Sequence, residues 1–222
     1  MSLLKTMEMD KSHYSIDTLR YYANTIKRLG LRSYQFCGNM LDYLHNNNFR
    51  TFDEFIENYN TDIRNIDELK ADAKNRISTI DEPDNVKENI FKYAINLIFV
   101  DSWNGYMYEK SAENTLNDII QELNEVLGNR FELRHATKEQ DYVEGIDYII
   151  YDIQKDKVFK LVQVKPIKYM EYGGRGTSEY KKAEWKSILA KQKYGTPIFI
   201  IYVNKDYEIE NLSELNMHII FE

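Results

Sequence analysis

The sequence predicts an α/β (α+β) fold: a central mixed β-sheet flanked by helices, with a helical region ahead of it. Three observations predict it. The first hundred residues carry apolar side chains at helical spacing. Residues 131–165 break into three short apolar runs separated by polar turn residues, the pattern of a meander. A further helix and further apolar runs follow, and a strand–helix–strand return implies a parallel neighbour and so a mixed sheet. A chain of 222 residues, 43% apolar and 29% charged, has room for one core plus a helical appendage and is not a disordered polyelectrolyte. Three prolines and nine glycines exclude collagen-like and linker-rich architectures.

The elements follow in order. Thr18–Leu31 places Leu19, Tyr22, Ala23, Ile26 and Leu29 on one helical face, with Gly30 as its stop. Phe49–Tyr59 is a second helix, with Thr51 as N-cap and Glu54 three residues on, a capping-box pattern. Residues 62–80 read as a polar, exposed helix. Pro83 breaks the chain before an apolar helical segment, Val86–Val100, whose run is interrupted at Asn96.

From residue 104 the pattern sharpens. Residues 104–127 form a helix with the stripe Glu109, Glu113, Leu116, Ile120, Leu123 and Leu127, ended by Gly128-Asn129. Strands are expected at Phe131–His135, Ile146–Ile153 and Val158–Lys165, the last two joined by a turn at Gln154-Lys155-Asp156-Lys157 and the third stopped or bent by Pro166. A Gly-Gly-Arg-Gly loop at 173–176 leads into a helix over Ser178–Lys193. Pro197–Val203 and Met217–Phe221 are the remaining strands. The division expected is a helical region over 1–100 and a sheet-bearing core over 101–222.

The net charge of −7 hides a gradient. Residues 101–159 carry 6 Lys/Arg against 13 Asp/Glu, whereas residues 160–193 carry 9 against 3. A local basic patch is what a polyanion requires, and global charge mainly sets solubility. No apolar run reaches the roughly 18 residues of a membrane span, and Met1–Asp10 breaks into charge too early for a signal peptide. One cysteine, Cys37, and four scattered histidines leave neither a disulfide nor a structural zinc cluster. The expectation is a cytoplasmic protein with no membrane partner.

Candidate chemistry lies at one end of the meander. Glu109 and Glu113 are one turn apart, where a core-facing stripe should be apolar. Either that helix end protrudes into water, or the stripe runs into a polar cavity. Asp147 opens an otherwise apolar strand, and Gln163 and Lys165 alternate with Val162 and Val164, so the two polar side chains share a face. A two-residue turn at Lys155-Asp156 would pair Asp147 with Val164, on the other face. An odd-length loop or one bulge brings Asp147 to Gln163 or Lys165. Only then do carboxylate, amide carbonyl and ammonium converge, a set suited to a hard cation such as Mg2+ with a lysine beside its water.

The stretch Glu144-Gly-Ile-Asp147-Tyr-Ile-Ile, followed by Leu161-Val-Gln163-Val-Lys165-Pro166, resembles the hairpin of the PD-(D/E)xK nuclease superfamily, with a glutamate-bearing helix before it. The resemblance spans roughly residues 103–203. Within it the Gln-Val-Lys-Pro hairpin and helical N-terminal part look most like type II restriction endonucleases, of the MjaI family. The resemblance implies a restriction-endonuclease-like core and Mg2+-dependent hydrolysis of double-stranded DNA at a short specific sequence. Asp147 and Gln163 with the Val164 carbonyl would be metal ligands, and Lys165 would assist the attacking water. The helix carboxylate would be Glu113 or Glu109, with Glu113 favoured by the apolar residues that follow it. Gln163 departs from the acidic residue commoner at its position, which removes one negative charge. On this reading Lys168, Arg175, Lys181, Lys182 and Lys186 contact DNA. Residues 1–100 then serve DNA recognition or dimerisation in a homodimer. A non-specific or structure-selective repair nuclease, or an inactive DNA-binding protein on the same fold, are the alternatives.

Overall fold

A computed structural model of the chain describes residues 3–167 and 178–215. The chain divides into two compact units, residues 1–106 and 107–222. In the first, helices α1 (Leu3–Met7), α2 (Ile16–Arg28), α3 (Tyr34–Cys37), α4 (Met40–Asn47), α5 (Phe52–Asp62), α6 (Ile66–Ser78) and α7 (Asp84–Ile95) follow one another, with a 3-10 turn at Lys11–His13. A π-helical turn, Asn96–Val100, joins α7 to the long helix α8 (Asp101–Leu127), and the division between the units falls inside α8.

The helices start where their caps stand. Ser15 Oγ accepts the Thr18 N–H, and Thr51 Oγ1 accepts that of Glu54 at 3.1 Å while the Glu54 carboxylate takes the Arg50 N–H. Helix α6 differs from the polar, exposed helix expected: it buries Ile66, Leu69, Ala73 and Ile77. Four apolar positions at helical spacing suffice to seat a helix whose other residues are mostly charged or polar. The core of this unit is aromatic, with Phe55 stacked on Trp103 and the Tyr59 ring edge-on to Phe99. Asn96, which interrupts the apolar run, is buried with both ends of its amide used: it donates to Asp101 and accepts the Met9 N–H.

The second unit holds the sheet. Strands β1 (Phe131–His135), β2 (Tyr148–Asp152), β3 (Lys157–Pro166) and β4 (Ile198–Val203) lie in the order β1-β2-β3-β4. The first three are antiparallel neighbours, and β4 runs parallel to β3 after helix α9 (Ser178–Tyr194). The mixed sheet and its flanking helices are as the sequence implies. The Gly-Gly-Arg-Gly loop and the strand expected at Met217–Phe221 lie outside the described residues.

Helices cover both faces. Tyr148, Ile150, Val162, Val164, Ile201 and Val203 pack with Ala112, Leu116, Ile119 and Ile120 of α8. Ile149, Leu161 and Ile146 pack with Ala190 of α9. Leu127, the last member of the expected stripe, is exposed at the end of α8. Asn124 ties that end to β1, its side chain accepting the Arg130 and Phe131 N–H groups and donating to the Phe131 carbonyl. Asp152, fully buried at the far end of β2, accepts two N–H bonds from the Arg130 guanidinium.

Candidate active site

The site begins with the register between β2 and β3. Asp152 faces Lys157 and Tyr151 faces Val158, across a turn of residues 153–156. From there an unbroken ladder would set Asp147 opposite Val162, on the α8 face. Ile150, however, faces Lys160 and Tyr148 faces Val162, so Phe159 is an extra residue in β3. This single bulge shifts the pairing by one as far as Tyr148, the last residue paired, and alternation from Ile149 and Leu161 puts Asp147 on the α9 face with Gln163 and Lys165.

Asp147 also ends the ladder. Its N–H donates to the Val162 carbonyl at 2.8 Å, and its carboxylate Oδ2 accepts the Val164 N–H at 2.5 Å. Two residues on, Pro166 has no N–H to leave unpaired where β2 no longer runs beside β3. Burial pushes the Asp147 carboxyl up to about 7, and the Glu109 and Asp141 charges add to the rise. The Val164 N–H and the Lys165 ammonium pull it the other way. Gln163 is only 7% exposed, and Lys165 is partly buried.

The two helix glutamates separate. The phenol of Tyr148, itself buried, donates to the Glu109 backbone carbonyl at 3.0 Å and holds that turn of α8 against the start of β2. The charge of Glu109 acts on both Asp147 and Asp141. Glu113 instead pairs with His135 Nε2 at 2.9 Å on β1. The arrangement therefore couples Glu109, rather than the favoured Glu113, to Asp147. Both glutamates are partly buried, between the two environments that the sequence left open.

One contributor has no counterpart among the expected residues. The segment before β2 caps itself reciprocally, Thr137 Oγ1 accepting the Gln140 N–H and Gln140 Oε1 accepting the Thr137 N–H. It then makes a π-helical turn, Gln140–Glu144, ended by Gly145 at φ +72°. Glu144 anchors the turn to the end of α9, accepting from Lys193 Nζ at 2.5 Å and from the Tyr194 hydroxyl at 2.7 Å. These bonds hold its carboxyl below the usual range, against the effect of burial. The turn delivers Asp141, whose charge acts on Asp147 and which in turn feels Lys165 and Lys186. Burial and the Glu109 charge raise the Asp141 carboxyl. Asp141 lies six residues before Asp147 in an acidic run that ends at a glycine, the one sequence signal that marks it.

Any other residue at Gly145 would be strained by its φ of +72° and crowded by its neighbours. A Cβ at this residue would lie 2.7 Å from the Gln163 amide nitrogen and 3.0 Å from Lys186 Nζ. Of the basic residues expected on DNA, Lys186 thus reaches the site, Lys181 and Lys182 are exposed on α9, and Lys168 and Arg175 lie outside the described residues.

The donor chemistry fits a hard cation. The Glu109 and Asp141 charges both raise the Asp147 carboxyl, which marks a surplus of negative charge there. Among the described residues no three His, Cys, Asp or Glu side chains converge closely enough to hold a metal ion. Mg2+ asks for less, one or two carboxylates completed by neutral oxygens and water. Here the neutral oxygens would be the Gln163 amide and the Val164 carbonyl. Among the described residues no helix is long and apolar enough to cross a membrane.

A family model for the MjaI restriction endonuclease matches residues 22–214. No curated protein and no solved structure matches the chain.

Proposed function

The chain belongs to the MjaI restriction endonuclease family, and from that premise we propose that it is a type II enzyme using Mg2+ to hydrolyse phosphodiester bonds in double-stranded DNA at a short specific sequence. The observation that carries the chemical part is the bulged β2–β3 register, which by alternation leaves Asp147 on the face of Gln163 and Lys165, with Glu109 within electrostatic reach.

Asp147, Glu109, the Gln163 amide oxygen and the Val164 carbonyl would hold the Mg2+. When bound, Mg2+ supplies a Lewis acid at the scissile phosphate and a more acidic water. The remaining work belongs to the chain. Lys165, one residue beyond Val164, orients the attacking water and faces the charge that develops on the phosphate. Tyr148 keeps the Glu109 turn seated by its bond to the backbone carbonyl. Lys181 and Lys182, exposed one after the other on α9, neutralise DNA phosphates. Residues 1–100 supply sequence recognition, subunit contact or both, and a two-fold homodimer matches a palindromic site.

The test is a plasmid digest with and without Mg2+, beside Lys165→Ala and Asp147→Ala proteins prepared identically. Discrete fragments from the wild type alone, and only with Mg2+, are the expected result. A smear would keep the chemistry and remove sequence specificity. Equal cutting by all three proteins would refute the site, and DNA binding without any cleavage would leave an inactive binding protein.

A further inference from the structure

The basic residues of α9 are not equivalent. Lys181 and Lys182 are exposed, as suits charges that meet DNA from solvent. Lys186 is partly buried and turned inward: its Nζ and the Gln163 amide nitrogen flank the point that a Gly145 Cβ would occupy, at 3.0 and 2.7 Å, and its Cδ lies 3.2 Å from the same point. The missing Cβ leaves the room in which the lysine stem runs. Asp141 feels the charge of Lys186 as well as that of Lys165, so two ammonium groups from different elements approach one carboxyl.

The charges around this point suggest a role. Glu109, Asp141 and Asp147 are acidic, Lys165 and Lys186 basic, and Gln163 neutral. One divalent cation added to this set leaves a single positive charge, which a phosphodiester cancels. Without Lys186 the phosphate would meet no net attraction. We propose that Lys186 is a catalytic residue of the nuclease, holding the scissile phosphate in the centre rather than tracking the DNA backbone outside it. The inference rests on the nuclease reading above. As the water oxygen bonds to phosphorus and the bond to the leaving oxygen breaks, charge grows on the non-bridging oxygens. The Lys186 ammonium stabilises that charge while the departing oxygen takes up a proton. Gln163 and Gly145 position it, the first by filling one side of the pocket and the second by leaving the other side open.

The experiment compares wild type with Lys186→Met, Lys186→Arg and Lys191→Ala, in single-turnover cleavage at saturating duplex DNA and in DNA binding without divalent cation. Lys186→Met keeps an apolar stem against Gly145 and removes the charge. It should cleave roughly 100- to 1000-fold more slowly while its DNA affinity falls only a few-fold, and its melting temperature should stay at the wild-type value. Lys186→Arg should recover part of the rate, and Lys191→Ala should match wild type. A folded Lys186→Met protein that cleaves at the wild-type rate once saturated would overturn the proposal. So would a rate loss in Lys186→Met that tracks a lowered melting temperature and is not relieved in Lys186→Arg. A wild type that cuts no DNA would instead take down the nuclease reading and this inference with it.

Discussion

Replacing Gly145 with alanine adds one methyl group to the site and removes no chemical group from it. Two costs follow from the geometry. At φ +72° an L side chain costs roughly 1 kcal/mol. The new Cβ then falls 2.7 Å from the Gln163 amide nitrogen and 3.0 Å from Lys186 Nζ, inside van der Waals contact with both. Lys186 can withdraw along its flexible stem. Gln163, 7% exposed, has little space to do so, and overpacking of this kind costs roughly 1–3 kcal/mol. Gly128 is the matched control: its φ is +74°, and nothing lies within 4 Å of a Cβ built on it. Gly128→Ala therefore bears the backbone cost alone.

Thermal melts by circular dichroism separate the two. For a chain of this size each kcal/mol moves the melting temperature by about 2–4 °C. Gly128→Ala should fall by about that much, and Gly145→Ala by at least twice as much. In single-turnover cleavage Gly145→Ala should be slower by at least about tenfold, because displacing positioned groups by an ångström is costly. Gly128→Ala should cleave as wild type does. If Gly145→Ala melts and cleaves like Gly128→Ala, then Gln163 and Lys186 are not held against Gly145, and the geometry of the site is wrong.

Two further outcomes are expected. Asp147, raised to about 7, keeps its proton in the folded chain over a range where the unfolded chain has lost it, so its contribution to stability falls as pH rises from about 4 to about 7. In EDTA, Asp147→Asn, which retains an acceptor for the Val164 N–H, should melt above wild type near neutral pH, with the gap closing near pH ~4; a gap that ignores pH would refute the assignment. Of the two tryptophans, Trp103 is 4% and Trp185 61% exposed, and Trp185 lies one helical turn from Lys181 and Lys182. Duplex DNA docked on that face should quench the exposed tryptophan, and Trp185→Phe should abolish the change; quenching that survives in Trp185→Phe would move the DNA elsewhere.

Much of this architecture was legible before any coordinates. The capping box at Thr51 and Glu54 and the Gly128-Asn129 stop are local chemistry, written in adjacent residues and realised where they stand. The alternation of Gln163 and Lys165 with Val162 and Val164 likewise puts the polar pair on one face of β3 whatever its neighbours do. Local interactions also explain the misreading of α6, where six charged residues masked the four side chains that seat the helix.

The partners of these residues were not legible. Whether Asp147 shares a face with Gln163 turns on one extra residue, Phe159, and a bulge leaves no mark in composition or periodicity because it is set by how two strands fit over a shared core. Glu109 and Glu113 are equivalent by spacing, and what separates them is the bond from Tyr148 to one turn of α8 and the pull of His135 on the next. Asp141 and Lys186 come to the site from a π-helical turn and from a helix forty and more residues further on, joined by the bonds of Glu144 and Gln140 to Lys193 and Tyr194. Local sequence thus specified the elements and the kinds of groups on each. Long-range packing chose which of those groups share one pocket, since side-chain convergence depends on register and helix rotation that no single segment encodes.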